Sequence, residues 1–96
     1  IIIDYNKLQS IDFVKNTLNL EPLKQKFQSF GCKVVSVDGH NFKLLEKALS
    51  SRSTKPLVVI ANTIKGKGVS FMENSVLWHY KSLNSEDYQK AMKIIK

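Results

Sequence analysis

The sequence predicts an α/β fold, a three-layer parallel sheet with flanking helices. Short apolar segments alternate with segments whose apolar residues recur at helical spacing, and this order is typical of parallel strands joined by crossover helices. Residues 57–60 are apolar without interruption, as expected for a strand that is covered on both faces. Polar loops follow two of the apolar segments, at residues 4–8 and 63–74. In such folds, ligands bind beyond the carboxyl ends of the strands.

The first elements are a strand and a helix. Residues 1–3 predict a strand that ends in a polar turn at residues 4–7. Because a strand of this kind is buried between neighbours, the chain looks like the middle of something larger. Residues 9–19 lack a clear period and predict a surface connection with a helical turn. A helix is predicted from about residue 22 to residue 30, with Pro22 in its first turn and Gly31 as its left-handed stop. Its apolar face consists of Leu20, Leu23, Phe27 and Phe30.

The second half continues the alternation. Residues 32–37 are rich in valine and are closed by a turn pair, Asp38-Gly39, so a strand is predicted there. Asn41 is the expected cap of the next helix. The apolar face of that helix consists of Phe42, Leu45, Ala48 and Leu49. After the strand at residues 57–60, residues 85–96 predict an amphipathic helix with Tyr88, Ala91, Met92 and Ile95 on one side.

Composition limits the class of protein. Ninety-six residues suffice for one small domain, and 43% hydrophobic with 24% charged residues is ordinary for a globular protein. No apolar run approaches the roughly 20 residues of a membrane span, and no secretory leader is visible. The single Cys32 cannot form an intrachain disulfide and is interpreted as a buried strand residue. We therefore expect a cytoplasmic protein without a membrane partner.

The charge balance leaves a second class of function open. Fifteen basic and 8 acidic residues give a net charge of +7, which is compatible with a small basic module that binds nucleic acid. However, the lysines are spread over the whole length, and the aromatic-basic signature of an RNA-binding sheet is absent. The favoured interpretation is a scattered solvated surface, with no nucleic-acid partner expected.

One lysine- and glycine-rich turn is a candidate binding segment. Lys65-Gly66-Lys67-Gly68 lies at the exit of the apolar run of residues 57–60. Glycine lets backbone N–H groups approach an anion closely, and lysine adds a positive charge. The nucleotide-binding pattern G-x-x-x-x-G-K-[ST] is absent. Taken by itself, the turn is also compatible with a flexible solvated loop.

Two histidines and two oxygen-bearing residues complete the candidates. His79 can transfer a proton near neutral pH, although a histidine beside a tryptophan is commonly structural, and Trp78 is predicted to be a packing anchor. His40 is predicted to be a turn residue that satisfies local backbone groups. Asp4 and Asn6 offer oxygen ligands of the kind that magnesium or calcium prefers. Two such ligands are too few for a complete metal site.

Five segments share a further pattern. They are residues 4–9 (Asp-Tyr-Asn-Lys-Leu-Gln), 20–23 (Leu-Glu-Pro-Leu), 37–40 (Val-Asp-Gly-His), 63–74 (Thr-Ile-Lys-Gly-Lys-Gly-Val-Ser-Phe-Met-Glu-Asn) and 78–79 (Trp-His). In this order and spacing they strongly resemble the transketolase family. The resemblance runs nearly end to end and is closest to the split or short forms of that family. It implies that residues 1–96 are the C-terminal portion of the amino-terminal, thiamine-diphosphate-binding domain, and so a partial thiamine-diphosphate-binding fold.

The resemblance implies an activity and a set of site residues. The activity is the transfer of a two-carbon ketol unit between sugar phosphates, a reaction of carbohydrate metabolism. Asn6 would supply a side-chain ligand, and Leu8 a backbone carbonyl, to the Mg²⁺ or Ca²⁺ ion that holds the diphosphate of thiamine diphosphate. Lys65 matches the family lysine that contacts the cofactor. His79 matches the histidine near the diphosphate and the substrate, which makes it the implied catalytic residue.

Departures from the family pattern are also visible. The Gly-Asp-Gly that opens the family's cofactor motif is missing, as are the upstream histidines and the pyrimidine-binding domain. The isolated chain is therefore expected to be inactive, and to need the upstream half of the domain and a pyrimidine-binding subunit or domain, in an enzyme that is a dimer. Tyr80 stands where the family usually has glycine, which leaves the shape of the substrate entrance open. A related thiamine enzyme, deoxyxylulose-phosphate synthase, is the nearer enzymatic alternative, and residues 65–79 fit it less well.

Overall fold

The computed structural model of the chain describes residues 1–95. Within this range the strands are Ile2–Tyr5 (β1), Lys33–Asp38 (β2) and Leu57–Asn62 (β3). The α-helices are Val14–Thr17 (α1), Leu23–Ser29 (α2), Phe42–Leu49 (α3) and Ser85–Ile94 (α4), and a 3-10 helix spans Val76–His79. The predicted alternation of strands and helices is confirmed, with α1 as the predicted helical turn within residues 9–19.

The strands of residues 1–95 form one parallel sheet in the order β1-β3-β2. The central position of β3 explains its sequence, because Val58 and Val59 are at most 1% exposed and pack on opposite faces. The prediction of a strand covered on both faces is therefore confirmed, and β3 continues two residues further than predicted. Since the strands are parallel, their carboxyl ends lie at the same edge of the sheet.

β1 differs from its prediction in extent and in burial. The pairing with β3 continues through Asp4 and Tyr5, so Asp4 is a strand residue rather than the start of a turn. In the described sheet β1 is an edge strand, and Ile2 is 62% exposed. The predicted burial of residues 1–3 is therefore wrong for the described chain. Tyr5, at the carboxyl end, is the residue of β1 that is buried.

Helices cover both faces of the sheet, which gives the three predicted layers. On one face α2 packs on a core cluster formed by Tyr5, Leu23, Val58 and Ile60, with Val34 beside it. Val35 points to the other face, because side chains alternate along a strand. There it lines a recess with Ala48 of α3, which is 4% exposed. Cys32 is half-buried against the first cluster, one residue before β2.

α2 is one residue shorter at each end than predicted. Gly31 has φ of +80°, so the left-handed stop is confirmed, whereas Pro22 precedes the first turn instead of lying in it. Phe30 was placed on the apolar face, but it is 81% exposed. The reason is its position, since it caps the helix and no longer follows the helical period.

The N-terminal caps of α3 and α4 are asparagines. The Asn41 side chain accepts a hydrogen bond from the backbone N–H of Leu44 at 3.1 Å, which confirms the predicted cap of α3. Phe42 at the start of α3 is 84% exposed, so its assignment to the apolar face is wrong. The helix predicted over residues 85–96 is found as α4, in which Ala91 is buried, whereas Tyr88, Met92 and Ile95 of the predicted apolar side are exposed in the described chain. Its last predicted residue, Lys96, lies outside the described residues.

No helix within residues 1–95 combines the length and the apolar character needed to cross a membrane.

Candidate functional site

The carboxyl ends of all three strands surround one cavity of about 730 Å³. Its wall includes Asn6 and Lys7 after β1, Asp38 and His40 at the end of β2, and Thr63 and Ile64 after β3. The two polar loops that were singled out in the sequence therefore meet at one edge of the sheet. The cavity volume lies within the roughly 300–1,000 Å³ that is usual for ligand sites.

The loop of residues 6–13, named here the Asn6 loop, is closed by its own backbone. The Asn6 side-chain oxygen accepts the backbone N–H of Leu8 at 2.9 Å, and Lys7 takes a left-handed conformation with φ of +62°. Leu8 pairs with Phe13 in an isolated antiparallel bridge, and the N–H of Val14 donates to the Lys7 carbonyl at 2.9 Å. These bonds fix the shape of the turn that carries both predicted metal ligands.

A buried tyrosine anchors the strand end that precedes this loop. The Tyr5 hydroxyl donates to a Glu21 carboxylate oxygen at 2.6 Å, and the other oxygen accepts the N–H of Leu23 at 3.0 Å. Burial, followed by the hydrogen bond to Glu21, raises the pKa of Tyr5 to about 12. The same hydrogen bond, with that from Leu23, lowers the pKa of Glu21. Sequence reasoning missed this pair, because residues 5 and 21 are brought together only by the fold.

His40 joins the end of β2 to the exit of β3. Its backbone N–H donates to the Asp38 carboxylate at 2.9 Å, which is the local turn contact predicted for it. Its ring also makes a long-range contact, because Nε2 accepts a hydrogen bond from the backbone N–H of Ile64 at 2.8 Å. Nε2 therefore acts as a hydrogen-bond acceptor in this contact. This long-range role was missed, since nothing local in the sequence pairs residue 40 with residue 64.

Asp4 and Gly39 lie where neighbouring strand exits approach each other. The Thr63 hydroxyl donates to the Asp4 carboxylate, which occupies one of the oxygens considered as metal ligands. A Cβ on Gly39 would lie 2.5 Å from the Thr63 methyl carbon and 3.1 Å from the Asn62 carbonyl oxygen. Glycine is therefore required where the exits of β2 and β3 approach each other.

The segment of residues 65–74, named here the Lys65 turn, is a folded loop rather than an open one. The N–H of Asn74 donates to the Lys65 carbonyl at 3.0 Å, which closes the segment at its base. Gly66 has φ of +75°, and a Cβ there would lie 2.7 Å from the Met72 carbonyl oxygen. The backbone of this segment is therefore internally hydrogen-bonded, although residues 66–68 are exposed. Lys65 is half-buried and directly follows Ile64 of the cavity wall.

His79 ends the 3-10 helix and is exposed. Trp78 fixes this helix to the Lys65 turn, since its indole N–H donates to the Phe71 carbonyl at 3.1 Å and its ring meets that of Phe71 edge-on. The prediction of a packing anchor is thereby confirmed. The Tyr80 hydroxyl donates to the Ser10 carbonyl and so reaches the Asn6 loop.

The four predicted site residues differ in their position relative to the cavity. Asn6 lines the cavity, Lys65 lies one residue beyond its wall, and Leu8 and His79 lie outside its lining. Residues 1–95 contain no group of three or more His, Cys, Asp or Glu side chains that could hold a metal ion. Asn6 and Leu8 would instead offer neutral oxygens, and no hydrogen bond from residues 1–95 reaches the Leu8 carbonyl. Magnesium accepts such donors and keeps further positions for water and phosphate oxygens, so this pair suits part of a shared coordination sphere.

Comparisons with known proteins agree with the resemblance described from the sequence. The chain is 39% identical over its whole length to an apulose-4-phosphate transketolase subunit of Actinobacillus succinogenes, of which it covers 36%. It is 38% identical over 93% of its length to a 6-deoxy-6-sulfo-D-fructose transketolase subunit of a Clostridium species, of which it covers 34%. The chain thus spans about a third of the length of these two relatives. No protein-family model matches it.

A solved structure shows the same fold. The crystal structure of transketolase from Campylobacter jejuni superimposes with a TM-score of 0.85 and 34% sequence identity, over 96% of this chain and 15% of that one. The predicted α/β architecture is therefore confirmed against an independent structure. Neither the nucleic-acid-binding module nor the synthase alternative is favoured by these similarities.

Proposed function

Since the chain is related in sequence and fold to the transketolase family, we propose that it is part of an enzyme that uses thiamine diphosphate to transfer a two-carbon ketol unit between sugar phosphates. The observation that carries the proposal is the cavity at the carboxyl end of the sheet, where Asn6 and the exit of β3 that leads to Lys65 form one wall. We propose that residues 1–96 are the C-terminal portion of the thiamine-diphosphate-binding domain.

Asn6 and Leu8 would hold the Mg²⁺ ion, or a Ca²⁺ ion, that binds the diphosphate. The side-chain oxygen of Asn6 has a second lone pair beyond the hydrogen bond to Leu8, and the Leu8 carbonyl is available among the described residues. Both oxygens are hard, neutral donors of the type that these ions take. The remaining ligands would come from outside this set.

Lys65 and the backbone beside it would bind the diphosphate charge. Gly66 takes a left-handed conformation with φ of +75°, the N–H of the left-handed Gly68 already donates to a Glu73 carboxylate oxygen at 3.2 Å, and the ammonium group of Lys65 adds the positive charge. The hydrogen bond from Ile64 to His40 fixes the chain directly before Lys65. The proposed placement of Lys65 therefore rests on the strand exits.

His79 would act on protons while the substrate carbon bond breaks. Thiamine diphosphate, when bound, provides a nucleophilic carbon that can carry a two-carbon fragment. An imidazole beside the substrate can take up or return a hydroxyl proton near neutral pH. The exposed position of His79 at the end of the 3-10 helix is compatible with this access.

The complete enzyme would contain more than this chain. Two relatives are named as transketolase subunits, which supports a partner subunit for this protein as well. We propose that the upstream half of the domain and a pyrimidine-binding subunit complete the site in a dimer, and that the isolated chain is inactive. A cytoplasmic location, for which the single Cys32 is the support, belongs to the same proposal.

Reconstitution tests the assignment. The chain is combined with its upstream half and companion subunit, and ketol transfer and thiamine diphosphate binding are measured for His79→Ala, Lys65→Ala and the control Lys24→Ala. Loss of a proton-transferring group is expected to lower kcat by about 100-fold or more in the histidine variant. Loss of Lys65 is expected to weaken binding of the cofactor by about tenfold. Rates and affinities equal to those of the Lys24 control in both variants would remove the assigned roles.

A further inference from the structure

Tyr80 makes two separate contacts near the predicted site. Its hydroxyl donates to the backbone carbonyl of Ser10, which lies 70 residues earlier in the chain. Its ring meets the His79 imidazole edge-on, with ring centroids 5.0 Å apart and planes at 90°. Edge-on contacts of aromatic rings are favourable beyond the area that they bury. One side chain therefore touches both His79 and the Asn6 loop.

The acceptor of this hydrogen bond is a fixed point. Ser10 lies within the Asn6 loop, where the backbone N–H of Gln9 donates to the backbone carbonyl of Asp12 at 2.8 Å. The Leu8–Phe13 bridge closes the same loop. A contact to the Ser10 carbonyl is therefore a contact to the loop as a whole, including the turn that carries Asn6.

The 3-10 helix that carries His79 is held in place by the contacts of Trp78. The Trp78 indole N–H binds the Phe71 carbonyl, and the Lys81 ammonium lies 4.5 Å from the Trp78 ring centroid. His79 itself is exposed, and the aromatic contact described for its ring is that with Tyr80. Tyr80 is thus the side chain that joins the exposed histidine to the internally hydrogen-bonded Asn6 loop.

We propose that Tyr80 is a positioning residue that ties His79 to the Asn6 loop and so sets the distance between the catalytic imidazole and the metal-binding turn. This role rests on the proposed function for its effect on catalysis. The hydroxyl holds the loop, and the ring orients the imidazole. A glycine at position 80 could make neither contact, because it has no side chain.

Two substitutions separate the hydroxyl from the ring. In the reconstituted enzyme, Tyr80→Phe keeps the ring and removes the donor, whereas Tyr80→Gly removes both. Tyr88→Phe, on the half-exposed tyrosine of α4, is the matched control. The readouts are hydrogen exchange of the amides in residues 6–13, the Kd for thiamine diphosphate with Mg²⁺, kcat for ketol transfer, and Tm.

The hydroxyl and the ring should have different effects. In Tyr80→Phe, exchange in residues 6–13 should be faster and the Kd higher by about two- to tenfold, the usual worth of one hydrogen bond, with kcat and Tm close to those of the control. In Tyr80→Gly, kcat should fall as well. In the His79→Ala background, the same glycine substitution should cause no further loss of kcat, because the ring acts through the imidazole.

The outcomes distinguish the two proposals. Unchanged exchange in residues 6–13 of Tyr80→Phe would overturn the connection whatever the enzyme does. An equal loss of kcat from Tyr80→Gly with and without His79 would overturn positioning and leave the proposed function intact. If His79→Ala alone changes neither binding nor transfer, the catalytic assignment fails and the positioning role is overturned with it, although the exchange data would still establish the contact to Ser10.

Discussion

Replacing Tyr5 by phenylalanine should destabilise the protein with a distinctive dependence on pH. Tyr5 is 8% exposed, and its hydroxyl donates to Glu21 at 2.6 Å, at the strand end that leads into Asn6. The substitution leaves the ring in the core and removes only the donor. A hydrogen bond to a carboxylate that stays open to water is worth about 1 kcal/mol. For a domain of this size, that loss corresponds to a Tm lower by about 4–8 °C.

The pH dependence follows from two pKa shifts of opposite sign. The folded state raises the pKa of Tyr5 from 10.0 to about 12, so this contribution is complete below pH 10.0 and is lost as the pH rises toward about 12. The folded state lowers the pKa of Glu21 from 4.5, so that contribution is present above pH 4.5 and is lost as the pH falls through the lowered value. The stability difference between wild type and Tyr5→Phe should therefore be largest between these limits.

Urea unfolding followed by circular dichroism at a series of pH values measures this difference, with Tyr88→Phe as the control. The plateau should occupy the range from about pH 5 to about pH 10, with a decline on both sides. A difference that is zero at neutral pH would show that the hydroxyl contributes nothing. A difference that does not decline on the acidic side would refute the link to Glu21, because burial of Tyr5 alone produces the decline on the alkaline side whereas only a titrating partner produces the acidic one.

Two further pairs of variants test the strand exits. Gly66→Ala should destabilise the folded protein by about 1–3 kcal/mol, since it combines a positive φ with a Cβ placed 2.7 Å from the Met72 carbonyl oxygen. Gly68→Ala, with φ of +97° and nothing within 4 Å of the added Cβ, should lower the free energy of unfolding in urea by less. Equal losses in the two variants would show that the close contact at Gly66 is unimportant. His40→Leu should speed hydrogen exchange of the Ile64 amide, which Nε2 accepts at 2.8 Å, whereas His40→Gln, which keeps an acceptor, should preserve much of the protection. Equal exchange in both histidine variants would argue against the ring as acceptor.

Local sequence patterns predicted the central part of the fold. The uninterrupted run at residues 57–60 identified β3 because full burial on two faces leaves no place for a polar residue. Gly31 and Asn41 marked helix ends because only a few residue types suit those backbone positions. The errors at Phe30 and Phe42 have one cause: helical periodicity carries no information at the residue where a helix ends or begins.

The wall of the cavity was only partly predictable. The position of Asn6 followed from its place after an apolar segment, and the cavity confirms that placement. The contacts of Glu21 and His40 could not be predicted, because each depends on a partner that the fold brings close from a distant part of the chain. Such pairs become visible only once the order β1-β3-β2 is known, since the order decides which strand exits are neighbours.

Hydrogen bonds connect the strand exits, whereas burial of apolar side chains stabilises the sheet. The two kinds of contact differ in the free energy that each contributes to folding. Asp4 with Thr63, and His40 with Ile64, each join neighbouring exits through one hydrogen bond, worth about 0.5–1.5 kcal/mol. Burying a single side chain such as Val58 of β3 is worth about 1.5–3 kcal/mol. Loss of one exit contact is therefore expected to leave the sheet folded. Removing one of these two exit contacts should consequently lower the free energy of unfolding by less than truncating Val58 to alanine, and urea unfolding of the two kinds of variant measures this difference.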